Sequence, residues 1–148
     1  MHMKKDLEWY AFAWSEVRLL IAAVALLLGG VPPILFITPS AVVGVVALLL
    51  ALSWVLSGVA AAYLVYRWYL SGRKLFGASD RKDMAAFLVL AVSGINLGLV
   101  PFFSNLGMSI SSNYVVFVVV AVAYVWSAYH LYRRRKAHGE KIFIGQAA

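Results

Sequence analysis

Two long stretches without charge restrict what this chain can fold into. No Asp, Glu, Lys, Arg or His occurs between Leu19 and Tyr66, and between Met84 and Tyr132 the only such residue is His130. A helix needs roughly 20 apolar residues to cross the hydrocarbon core of a bilayer, so each stretch can hold two spans. At 13% charged residues the chain also falls well below soluble domains, where about a quarter are charged. The sequence predicts an all-α integral membrane protein with four transmembrane helices.

We expect a single membrane domain over residues 1–148. A short helix at the membrane interface is predicted over residues 6–17, with the apolar stripe Leu7, Tyr10, Trp14 and Val17 in lipid. The four spans are predicted at residues 18–37, 41–66, 84–103 and 114–132, and Arg18 is expected to snorkel at the inner end of the first. A basic loop (residues 67–83) and a basic tail (residues 133–148) complete the domain.

The basic residues predict the orientation. All 13 Lys and Arg lie in three segments, 4–18, 67–82 and 133–141, whereas the connections near residues 38–40 and 104–113 have none. Because short basic loops stay on the cytoplasmic side, we expect a multi-pass protein of the inner or plasma membrane with both termini cytoplasmic. Anionic lipid headgroups rather than nucleic acid are the expected partners, through Arg67, Arg73, Lys74, Arg133, Arg134, Arg135 and Lys136. Leu75 and Phe76 are expected to dip into the interface.

Small residues and helix breakers mark the sites at which helices pack or open. Span two carries Ser57 and Gly58, and Gly94-Ile95-Asn96-Leu97-Gly98 of span three is a GxxxG sequence that lets another helix approach closely. Proline interrupts a helix, and the breakers occur near the predicted outer surface. The set comprises Gly30, Pro32, Pro33, Ser57, Gly58, Ser93, Gly94, Asn96, Gly98 and Pro101. Two interpretations stay open for these residues, namely helix packing and the lining of a solute or ion pathway.

The two halves of the chain resemble each other. Residues 62–67 match residues 128–133 at an offset of 66, residues 72–76 match residues 139–143 at 67, and residues 30–33 match residues 98–101 at 68. A duplicated helical hairpin would give two parallel repeats related by an axis along the membrane normal. The alternative is that Tyr and Arg gather at the inner end of any span. That alternative does not account for the shared Gly-x-Lys-aliphatic-Phe segment.

The sequence offers no motif specific to a known family and no catalytic constellation, so an enzyme is not expected. The chain has no cysteine and three scattered histidines, which gives no expectation of a metal or another cofactor. The predicted function is a self-associating or accessory subunit of a membrane complex, with anionic-lipid contacts on the cytoplasmic side. The alternative is a passive small-solute or ion transporter built from an oligomer around the Gly/Pro-interrupted helices.

Overall fold

The computed structural model describes residues 2–29, 33–101 and 113–143. Four of its helices are long and apolar enough to cross a membrane, and the described residues contain no β-strand. The helices are α1 (His2–Leu27), the short α2 (Pro33–Ile37), α3 (Val43–Leu70), α4 (Arg81–Leu99) and α5 (Tyr114–Ala137), and a 3₁₀ turn at Ser40–Val42 precedes α3. The prediction of an all-helical protein with four candidate membrane spans is confirmed.

The four long helices form a ring. α1 packs mainly on α5 and α3 mainly on α4, while the α1–α3 and α4–α5 contacts close the ring. Neighbours run antiparallel, since Glu8 and Trp14 of α1 meet Arg67 and Ser57 of α3 in reversed order. We call the basic end the end that carries the start of α1, residues 71–80 and residues 138–143.

The first helix differs from its prediction. Residues 2–27 form one continuous helix, so the predicted interfacial segment 6–17 is the first half of α1, and the apolar window begins at Asp6 rather than Arg18. The helix ends early, as the breakers suggest, because Gly29 adopts a φ of +84° and α2 starts at Pro33. Gly30 and Pro32 lie outside the described residues.

The two faces of α1 are inverted relative to a helix of a soluble protein. The apolar stripe that was expected in lipid does face outwards, with exposed fractions from 40% at Trp14 to 65% at Tyr10. The inward face carries the polar residues Glu8, Ser15, Glu16 and Arg18, all of them buried. Arg18 therefore does not snorkel; its side chain lies inside the bundle, where polar partners replace water. An outward apolar face and a paired polar interior are what a surrounding of lipid requires.

The ends of α4 and α5 follow local rules. Asp80 caps α4 and accepts hydrogen bonds from the backbone N–H groups of Lys82 (2.7 Å) and Asp83 (3.3 Å). Asn113 caps α5 in the same way through Val115. α5 continues beyond Tyr132 to Ala137 because its basic last turn complements the helix dipole.

α3 and α5 end in the same conformation. The N–H of Arg73 donates to the carbonyl of Trp68 (3.0 Å), and the N–H of Glu140 donates to the carbonyl of Arg135 (2.9 Å). In each ending the two residues 72–73 or 139–140 have positive φ, between 62° and 74°. This is a helix stop in which the chain reverses through a glycine, and it occurs at positions that the sequence comparison aligns.

Each of these two endings is followed by an aliphatic-Phe pair that packs inside the basic end of the bundle, Leu75-Phe76 and Ile142-Phe143. Leu75 and Phe76, which were expected to dip into the membrane interface, are instead buried in the protein with Ile142 and Phe143. The Phe76 N–H donates to the Ile142 carbonyl (2.7 Å), and the Phe76 ring meets Phe12 of α1 edge-on. Burial is possible because the tight turns point both pairs back into the bundle.

Candidate functional site

The small-residue positions bring α3 and α4 into backbone contact. A Cβ atom on Gly58 would lie 2.7 Å from the Cα of Gly98, and one on Gly94 would lie 2.6 Å from the Cβ of Ala61. These glycines therefore serve contacts between helices of the same chain. Ser57, Ser93 and Gly94 are buried, Asn96 and Gly98 are half-buried, and Pro101 is exposed in the turn after α4; Pro33 is the first residue of α2.

A buried ion-pair network joins α1 to α5. The Arg135 guanidinium donates to both carboxylate oxygens of Glu16, at 2.8 and 3.2 Å, and also binds Glu140. Glu140 in turn accepts from the indole N–H of Trp9 (2.7 Å) and pairs with Lys136 at 2.6 Å. Arg135 is only 3% exposed, so this guanidinium, predicted to touch lipid headgroups, is occupied within the protein.

A second network joins α4 to α5 around Asp83, which is 1% exposed. One of its oxygens lies 2.7 Å from Nε2 of His130, and the Nε of Arg134 donates to both oxygens at 3.0 and 3.1 Å. The His130 ring also stacks on Trp126 at 5.3 Å. His130 is therefore bound to an acid of the neighbouring helix.

A third pair, Glu8 with Arg67, joins α1 to α3. Of the seven residues predicted to contact anionic lipid, Arg73, Lys74, Arg133 and Lys136 are exposed, Arg67 and Arg134 are half-buried, and Arg135 is buried. The exposed Arg73 and Arg133 lie over the rings of Tyr69 and Tyr129, each 5.6 Å from the ring centre.

Arg18 is the deepest cation of the bundle interior, 12 residues or about 18 Å along α1 from Asp6. Its Nη2 donates to the carbonyl of Leu90 (2.9 Å) and to the hydroxyl of Ser93 (3.0 Å) on α4. Among the described side chains no carboxylate lies within ion-pair distance of Arg18, and its Nε has no hydrogen-bond partner. A charge held without a counter-ion inside a membrane bundle is costly and marks a candidate functional position.

Unpartnered polar atoms accompany Arg18. The hydroxyls of Ser15 and Ser127, both 0% exposed, have no hydrogen-bond partner in the described part of the chain. Ser15 lies three residues before Arg18 on the same face of α1, and Ser127 lies three residues after Tyr124, which is close to Arg18. The interior between α1 and α5 thus carries polar groups that hydrophobic packing alone does not need.

An open cleft of about 470 Å³ lies outside the bundle core, near the basic end between α4 and α5. It is lined by Lys82, Trp126, His130, Arg133, Arg134 and Ala137. Except for Lys82, these residues come from one face of α5, whose spacing follows the helical repeat. The cleft is predominantly cationic at one end and aromatic at the other.

Two carboxylates outside the helices have altered acidity. The hydrogen bond from Lys136, supported by that from Trp9, lowers the pKa of Glu140. The backbone N–H groups of Lys82 and Asp83 lower the pKa of Asp80. Both groups are therefore negatively charged at neutral pH, where Asp80 contributes to the charge balance near the cleft.

Sequence reasoning missed the polar interior. The charges of Glu8, Glu16 and Arg18 were read as markers of a segment outside the membrane, yet their buried spacing follows one face of α1. The sequence signal for that face is that these polar residues occupy helical positions outside the exposed apolar stripe. The described residues contain no group of three His, Asp or Glu side chains placed to hold a metal ion.

Comparison of the chain with protein-family models, with curated protein sequences and with solved structures found no match in any of the three.

Proposed function

We propose that this chain is a self-associating membrane subunit, whose copies meet through α3 and whose basic end rests on anionic headgroups. α3 is the least buried of the four long helices: 6% of its most apolar window is buried, against 28% for α5 and 39% for α1 and for α4. Five of its exposed branched side chains follow a spacing of four and three residues, namely Val45, Leu49, Leu52, Leu56 and Val59. This spacing gives a continuous ridge that packs well on a second copy of itself at a shallow crossing angle.

The absence of cysteine from the sequence allows a direct test by disulfide cross-linking in liposomes. Leu52→Cys, on the ridge, should form a disulfide-linked dimer upon mild oxidation. Val92→Cys, 64% exposed near the middle of α4, serves as a matched control and should stay monomeric. Equal cross-linking of both variants, or none from Leu52→Cys, contradicts an α3 interface.

The orientation is the second part of the proposal: the basic end faces the cytoplasm. The support is the confinement of all Lys and Arg to segments at that end or in the first half of α1. Ser79→Cys in the exposed loop should react with an impermeant maleimide only after the cells are opened. Ser40→Cys, exposed beyond the opposite end of α3, should react in intact cells. The reverse labelling pattern overturns the orientation.

We also infer that the two hairpins, α1–α3 and α4–α5, descend from a duplication. The matched helix endings after α3 and α5, with positive φ at aligned residues, support this history. The ring supports it as well. If α1 is exchanged with α4 and α3 with α5, the α1–α5 contact takes the place of the α4–α3 contact, and these two are the largest contacts in the ring.

Passive passage of a small solute or ion remains the second candidate. One observation favours it, namely the interior polar atoms of Ser15, Arg18 and Ser127 that have no partner among the described residues. The backbone contact between Gly58 and Gly98 argues against a path at the glycines of α4 and favours one between α1 and α5. Flux through liposomes containing the wild type, abolished by Arg18→Met with assembly intact, would establish passage and displace the subunit function.

A further inference from the structure

We propose that the cleft between α4 and α5 is a binding site for the phosphate of an anionic phospholipid. The inference deepens the headgroup contacts of the proposed function and rests on them, since it names a site and the groups that recognise the ligand. The cleft volume of about 470 Å³ accommodates a headgroup with the first part of its acyl chains.

The charge of the cleft suits a phosphate. Lys82 and Arg133 are exposed and make no ion pair among the described residues, so their charges are available to a ligand. Arg134 is directed by the buried Asp83, which fixes its guanidinium, and Asp80 lies close enough to interact with it electrostatically. Among these five side chains, the three cations Lys82, Arg133 and Arg134 against the acids Asp80 and Asp83 leave one positive charge in excess. This matches a phosphodiester, which carries one negative charge.

The position of the cleft selects an amphiphilic ligand over a soluble one. Trp126, 43% exposed, lies seven residues or about 10 Å along α5 from Arg133, towards the middle of the bundle. Further in the same direction the exposed side chain of Val122, four residues before Trp126 on the same face of α5, continues the apolar surface. A phosphate at Lys82 and Arg133 would therefore send its acyl chains past Trp126 along the outside of the α4–α5 hairpin.

The other hairpin lacks the site for a visible reason. Arg67, which aligns with Arg133 in the sequence repeat, is bound by Glu8 and is half-buried. At the offset of 68, which the nearest match at residues 30–33 gives, Lys82 aligns with the uncharged Trp14. The headgroup site is thus a property of one hairpin and not of every basic residue at this end.

The test compares two double variants of the full chain, purified in detergent, by native mass spectrometry with added phosphatidylglycerol or phosphatidylcholine. Lys82→Gln/Arg133→Gln should weaken retention of phosphatidylglycerol on the order of 10- to 30-fold. The control Arg81→Gln/Lys141→Gln, which removes the same charge from exposed positions outside the cleft and outside the predicted headgroup contacts, should change it less than about twofold, because detergent offers no charged lipid surface to these positions. Unchanged helicity and elution volume show that both variants fold.

A second readout places the ligand. Phosphatidylglycerol brominated on its acyl chains should quench the wild-type fluorescence, and the quenching should fall in Trp126→Phe. Equal losses in the two double variants, or equal retention of phosphatidylcholine and phosphatidylglycerol, would overturn the site. Displacement of the lipid by millimolar inorganic phosphate would keep the phosphate site and assign it to a soluble source. Cross-linking through α3 is measured separately, so failure of self-association leaves these results interpretable.

Discussion

At the scale of single residues, the bundle interior contains two kinds of buried arginine. Arg135 is neutralised by Glu16 through two hydrogen bonds, whereas Arg18 is held by a backbone carbonyl and a hydroxyl. Removal of one partner from a buried pair strands the other charge, while removal of an unpaired charge relieves its desolvation. The two arginines should therefore respond to the same substitution in opposite ways.

We expect Arg135→Met to lower the free energy of unfolding by about 3 kcal/mol or more, because Glu16 would remain buried without its partner. Arg18→Met should leave this free energy unchanged within about 1 kcal/mol or raise it, since Ser93 keeps its own hydrogen bond to Leu90. Unfolding in mixed micelles with increasing SDS measures both. A large loss of stability in Arg18→Met would show that an unidentified counter-charge has been missed.

Glu140 predicts how the basic end responds to pH. Its pKa is lower in the folded chain than in the unfolded one, so its contribution to stability is present above about pH 4.5 and is lost as the pH falls through the folded pKa. Glu140→Gln should therefore be less stable than wild type at pH 7, and the difference should shrink below pH 4.5. Thermal midpoints in detergent at both pH values test this; a difference independent of pH contradicts it.

At the scale of helices, α3 and α4 are held together by close backbone approach. Hydrophobic burial contributes little between membrane helices, because an apolar side chain that leaves lipid for a helix interface moves between two equally apolar surroundings. The opposed Gly58 and Gly98 bring the two backbones into direct contact. The neighbouring atoms are backbone atoms, which cannot move aside as the end of a side chain could. Bulk at this point must separate the helices.

Gly98→Ala should destabilise the bundle by about 1–3 kcal/mol, because its new Cβ would lie 2.6 Å from the Cα of Gly58. Gly44→Ala is the matched control in α3: a Cβ there meets nothing within 4 Å, so stability should stay constant or rise by up to about 1 kcal/mol. The same SDS titration gives both values. Equal changes in the free energy of unfolding for the two variants would contradict a role for the Gly58–Gly98 contact and would assign the change to helix propensity alone.

The helices were predictable from sequence to different degrees. α4 and α5 begin within a few residues of the predicted spans, because Asp80 and Asn113 are local capping residues. α1 was divided at Arg18 because hydropathy counts each charge as a cost. The partner that offsets the cost of Glu16 is Arg135, 119 residues away, and no local pattern contains that information. The same applies to Asp83 with His130 and to the buried Leu75 and Phe76.

At the scale of the whole molecule, the inward polar face of α1 has a consequence for how the protein is made. Alone in a bilayer, α1 would present Glu8, Glu16 and Arg18 to hydrocarbon, at about 2.5–3.5 kcal/mol for each charge near the centre. Its partners belong to helices that the ribosome completes later. α1 should therefore reach its final position only after α5, which is synthesised later. In a chain stopped before α5, Ser15→Cys should react with a water-soluble maleimide, whereas in the full chain, where Ser15 is buried, it should stay unreactive.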